Sequence, residues 1–132
     1  MLVVALNLLS GCISMDKLLG LTFDKVVRND DAIVFYQGDV KRFSLHHEQD
    51  CCESVYVEDV AGDLDDLVGT PILLAEEAYE NDPDAGESGT WSFYKIATVK
   101  GHVTIRFYGS SNGYYGETAS LYRYNSNGAR IW

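Results

Sequence analysis

Cysteine is scarce in this sequence, and basic residues are outnumbered by acidic ones. The 132-residue chain has three cysteines, Cys12, Cys51 and Cys52. An odd count with one adjacent pair is not a disulfide framework. Neighbouring cysteines seldom bond to each other, because the ring they close is small and strained. This usage points to a reducing, cytoplasmic setting in the host cell. Lys and Arg number 10 against 20 Asp and Glu, a formal charge of −10. A surface of that sign repels phosphate and argues against direct nucleic-acid binding. No apolar run is long enough to span a bilayer. No phosphate-cradling glycine loop, nucleophile elbow or metalloprotease motif occurs. There is no internal repeat and no βαβ rhythm, which speaks against a doubly wound parallel sheet.

What is present suits one folded domain. At 46% hydrophobic, the chain has enough apolar surface for a single core. Charge is unevenly spread. From Glu48 to Glu87 there are fourteen acids and no Lys or Arg, whereas the other 92 residues hold six acids and ten bases. Such a segment is attracted to a protein partner with a basic surface.

The first residues need separate treatment. Leu9-Ser10-Gly11-Cys12 has the small-residue pattern of a lipoprotein cleavage site, which would place a lipid on Cys12 and the protein on a membrane. The apolar run before it is short and has no preceding Lys or Arg, unlike a signal peptide. Met15 looks like the natural start of the folded part. The expected organisation is an extension over 1–14, one domain over 15–125 and a tail over 126–132.

From Asp16 onward the pattern is mostly β. Alternation and turn residues predict strands near 21–28, 32–36, 40–47, 54–60, 72–79, 90–100, 102–108 and 118–124, with 75–78 also open to a helical reading. Gln37-Gly38-Asp39 and Lys100-Gly101 read as hairpin turns. Asp63 caps a short helical turn over 64–68. The expected fold is α+β, mainly antiparallel β, with a single curved or barrel-like sheet and one or two short helices.

Two stretches are candidates for function. The first is His46 to Glu53, HHEQDCCE. His47, Asp50, Cys51 and Cys52 offer metal-ligand and thiol chemistry, so one reading is a metal-binding or thiol-dependent enzyme. Against it, a zinc site wants two ligand pairs and only one cluster is present. Nearby carboxylates also raise a thiol pKa. The plainer reading is a turn in which Asp50 caps the backbone and the cysteines fill small apolar sites. The second is GSSNGYYG, where Tyr114 and Tyr115 offer two rings to a partner. The acids Asp63, Asp65 and Asp66, like Asp82, Asp84 and Glu87, lack the spacing of a calcium loop.

The pieces HEQDCCE, GDLDDLVGTPI and SNGYY resemble a domain-of-unknown-function family of small proteins from bacteriophages and bacterial genomes, over about Leu18 to Tyr124. The resemblance implies a phage or prophage origin and carries no activity or catalytic residue with it. The leading expectation is a small, acidic, non-enzymatic protein that needs no cofactor. It would bind a basic protein partner through Asp63, Asp65, Asp66, Tyr114 and Tyr115. Charge mimicry against a host nucleic-acid-handling protein is one form this takes.

Overall fold

The computed structural model describes residues 11–132. The expected extension over 1–14 lies outside the described residues as far as residue 10. Ten strands follow in chain order: β1 Cys12–Ile13, β2 Lys25–Arg28, β3 Ala32–Gln37, β4 Val40–His46, β5 Ser54–Ala61, β6 Leu74–Asn81, β7 Ser88–Thr98, β8 Gly101–Ser111, β9 Ser120–Tyr124 and β10 Arg130–Ile131. All strand pairs are antiparallel.

The strands make two sheets and not the single sheet that the pattern suggests. The first runs β1-β9-β4-β3-β2, with β10 sharing the outer edge of β9 with β1. The second runs β5-β8-β7-β6. Neither closes into a barrel. The split arises between β4 and β5, which are consecutive but do not pair. β4 lies between β3 and β9, and β5 crosses over to pair with β8. The α component is also smaller than expected. It amounts to two four-residue 3₁₀ turns, Met15–Leu18 and Leu64–Leu67. The Asp63 side chain caps the second, accepting from the Asp65 N–H at 2.9 Å.

Hairpin turns fix the registers. Gln37 pairs with Val40 across Gly38-Asp39, and Gly38 takes the positive φ that such a loop reserves for glycine. Thr98 pairs with Gly101 across Val99-Lys100. That register sends Tyr94, Ile96, Val103, Ile105 and Phe107 inward, where they are buried. Facing them from the first sheet are Ile33, Phe35, Phe43, Leu45 and Leu121. Phe23 lies 5.2 Å from Phe35 and 5.7 Å from Phe43, tilted and edge-on, the arrangements that ring quadrupoles favour.

The flanks join the sheet. Cys12 and Ile13 pair with Tyr122 and Leu121, and Arg130 and Ile131 pair with Tyr124 and Arg123. Within the expected tail over 126–132, Arg130–Ile131 thus forms a short strand on β9. Among the described residues no helix is long and apolar enough to cross a membrane.

Candidate functional site

Three connections meet at one end of the sandwich: residues 47–53 between β4 and β5, the tip of the β6–β7 hairpin, and residues 112–119 between β8 and β9. The first is organised by Glu53, whose side chain is fully buried. Its carboxylate accepts from the N–H of Asp50 at 2.9 Å and of Cys51 at 2.8 Å, and meets His47 Nε2 at 2.6 Å. Gln49 Nε2 closes the loop by donating to the Glu53 carbonyl at 2.6 Å. The His47 hydrogen bond holds the Glu53 carboxyl down at about 2, helped by the two backbone N–H groups and opposed by burial. The other nitrogen of His47 meets the Thr118 carbonyl at 3.0 Å and ties this loop to the β8–β9 connection.

This geometry corrects several expectations. The capping carboxylate of the turn belongs to Glu53 and not to Asp50. Cys51 and Cys52 are exposed, do not fill apolar sites, and are joined to each other as a disulfide. The expected pair of separate thiols is therefore absent. Nor are His47, Asp50, Cys51 and Cys52 brought together as a set of ligands. Both ring nitrogens of His47 are engaged, the two sulfurs bind each other, and no group of three or more His, Cys, Asp or Glu among the described residues is placed to hold an ion.

A second buried carboxylate, Glu117, anchors the β8–β9 connection. It accepts from Thr90 Oγ1 at 2.8 Å, from Ser88 Oγ at 3.1 Å and from Ser111 Oγ. Burial opposes its ionisation, but these hydroxyls outweigh burial and its pKa lies below the usual value. Gly109 is needed beneath it. A Cβ there would lie 1.9 Å from the Glu117 carbonyl oxygen.

Next to His47, His46 stacks on Tyr122 at 4.5 Å, accepts from or donates to Ser44 Oγ at 2.7 Å, and meets Glu48 at 2.8 Å. Burial lowers its pKa despite the Glu48 contact. Glu48 in turn pairs with Arg130, whose guanidinium lies over Tyr122 and Trp132.

Between the three connections lies an open basin of about 680 Å³. Cys52, Asp82, Asp84, Glu87, Tyr108 and Tyr115 are among the residues that line it. Tyr108 donates to Asp82 at 2.7 Å, which pushes its pKa up to about 12. Asp82 also accepts from the Asp84 N–H at 2.9 Å, so it shapes the hairpin tip. Tyr114 is 83% exposed at the rim, and its ring contacts Tyr115 at 5.0 Å.

The sequence-derived binding set does not converge. Asp63, Asp65 and Asp66 sit by the start of β8, where Asp66 lies under Gly101. Tyr114 and Tyr115 follow its far end. The eleven residues of β8 separate them by about 33 Å at the usual rise per residue.

The sequence pattern also hides one feature. The outer face of the second sheet carries Trp91, Phe93 and Tyr108 at its centre, with Tyr56 beside them on β5. Trp91 lies opposite Tyr108 and Phe93 opposite Arg106. Rings meet at 4.4 Å between Trp91 and Tyr108 and at 6.2 Å between Tyr56 and Tyr108. The Arg106 guanidinium lies 5.1 Å over the Trp91 ring and is paired with Glu58.

A family model matches residues 16–121. The chain belongs to DUF7448, a domain of unknown function. The match opens in the first 3₁₀ turn and ends in β9. It thus takes in both buried carboxylates, the basin and the aromatic face, and leaves out β1 and β10. No curated protein and no solved structure matches the chain significantly.

Proposed function

We propose that this DUF7448 member is a small non-enzymatic binding protein of phage or prophage origin that engages a protein partner through its acidic side. One observation carries the proposal: charge is sorted between the two sheets. The strands of the first sheet hold Lys25, Arg28, Lys41, Arg42, Arg123 and Arg130 and no acid. Those of the second hold Glu58, Asp59, Glu76, Glu77 and Glu80 against Lys95 and Arg106. The hairpin tip adds Asp82, Asp84 and Glu87 on the same side. One face thus attracts basic surfaces, while the other is held by cations lying over Tyr36, Tyr122 and Tyr124.

The residues that an enzyme reading needs are occupied in holding a loop, with His47 spent on Glu53 and Thr118. That favours binding over chemistry. The test is charge reversal at exposed acids, Glu76→Lys, Glu80→Lys and Asp84→Lys together, followed by affinity capture from the host. The variant should lose the partners that wild type retains. Recovery of the same partners in the same amount would sink the proposal.

A further inference from the structure

The outer face of the second sheet is built against the usual rule. An antiparallel sheet in a sandwich puts apolar groups inward and polar groups toward water. Here the inward positions of β7 and β8 are already filled by Tyr94, Ile96, Ile105 and Phe107. The core therefore does not require Trp91, Phe93 and Tyr108 on the other side. These rings are half-buried, Tyr108 meets both Trp91 and Tyr56, Phe93 follows Trp91 on the same face of β7, and Tyr56 is 42% exposed. Contiguous aromatic surface of this kind is what protein interfaces use as anchors.

The surroundings select the occupant. Glu58 and Asp59 border the row on β5, and Glu76 and Glu80 border it on β6. Glu80 pairs directly with Trp91. Asp82 holds the Tyr108 hydroxyl and leads into the acidic basin. Of the two cations within the face, Arg106 is paired with Glu58 at 2.5 Å, and Lys95 stands opposite Glu76 on the neighbouring strand. An aromatic centre with an anionic rim fits Arg and Lys side chains, whose heads pair with carboxylates while their stems or guanidinium planes lie on rings. It repels phosphate, so a nucleic acid is disfavoured.

We infer that the outer face of β5-β8-β7-β6 is the docking surface of this protein, and that its occupant is an arginine- or lysine-rich protein surface. The inference rests on the proposed function and adds where the partner sits.

Trp91 is the natural reporter. The chain has two tryptophans, so Trp132→Phe leaves Trp91 alone without touching the face. Titration of that variant with a polyarginine peptide at low salt should change Trp91 emission saturably, and polyglutamate should not. Tyr56→Ala and Glu80→Gln, both at exposed positions, should each weaken polyarginine binding by about tenfold, the size of one good cation–π or ion contact. Calorimetry run alongside separates the failures. Polyarginine that binds without moving Trp91 emission, and equally well to Tyr56→Ala, overturns the docking surface and leaves the proposed function standing. Absence of binding at low salt overturns both. A wild-type dimer in sedimentation that Trp91→Glu dissolves would give the face to a second copy, and that also overturns the inference.

Discussion

Replacing Glu117 by Ala tests whether the end of the sandwich that holds the basin is organised by one carboxylate. Glu117 takes three hydroxyl donors, from Ser88, Thr90 and Ser111. Hydrogen bonds to a charged acceptor contribute roughly 1.5–3 kcal/mol each. The three hydroxyls are only half-buried, so water entering the vacated space recovers much of this. The net loss should be about 3 kcal/mol, set by the residual misfit of three donors and a loosened connection. Glu117→Gln keeps the shape. A hydroxyl can turn its proton away and accept, through its oxygen, from the new amide NH2, so the cost should fall to about 1 kcal/mol. Urea unfolding followed by circular dichroism reads both values, provided the denaturant slopes agree. If both variants unfold within about 0.5 kcal/mol of wild type, the carboxylate does not organise this end, and the hydroxyls satisfy themselves elsewhere.

Gly109→Ala should destabilise by about 3 kcal/mol or more, because its Cβ would collide with the Glu117 backbone and not with a side chain that can swing aside; the same urea assay decides it. Acid should weaken the fold in steps. Glu53 has a lowered carboxyl, so its contribution is whole above its unfolded value near 4.5 and fades as pH falls toward about 2. His46, with a lowered pKa, favours the fold above its unfolded value near 6.5 and loses that advantage as pH falls below it. Glu53→Gln should flatten the lower limb of a stability–pH curve measured in urea, and a curve with an unchanged lower limb would contradict the assignment. Iodoacetamide should label Cys51 and Cys52 only after reduction, since the two are bonded to each other; labelling of the untreated, air-purified protein would show two separate thiols.

How far the sequence reveals this molecule depends on the range of the interaction. The β7–β8 hairpin is legible because everything that sets it is local: a two-residue turn, and Val103, Ile105 and Phe107 alternating with Thr104 and Arg106. The Asp63 cap is legible for the same reason. The two-sheet arrangement is not, because β4 and β5 find partners in β9 and β8, far along the chain, and no local pattern marks which strand changes layer. Glu53 escapes notice because it is one acid among fourteen. Only its neighbour's opposite, a histidine six residues earlier, hints that it is the buried one. The aromatic face escapes because Trp91, Phe93 and Tyr94 place large rings at both parities of β7. Alternation alone cannot choose a side there. The turn can, since fixing Thr98 opposite Gly101 forces Trp91 opposite Tyr108 and turns both away from Ile105 and Phe107.

An exposed aromatic face carries a liability, since two copies can bury it against each other. The acids around it bear on that directly. A two-fold pair formed through this face would bring each rim against the same rim of its partner. Glu76, Glu80 and Asp59 of one copy would then meet acids of the other. Like charges brought together at a forming interface cost several kcal/mol, and the cost grows as water leaves. A basic surface meets the same rim with the opposite sign, so one set of carboxylates both opposes self-association and favours the cationic partner. Salt acts on both effects at once, screening the repulsion between copies and the attraction to the partner. The face should therefore be most selective at low ionic strength. Any loss of partner affinity on adding salt should come with a greater tendency of the protein to pair with itself.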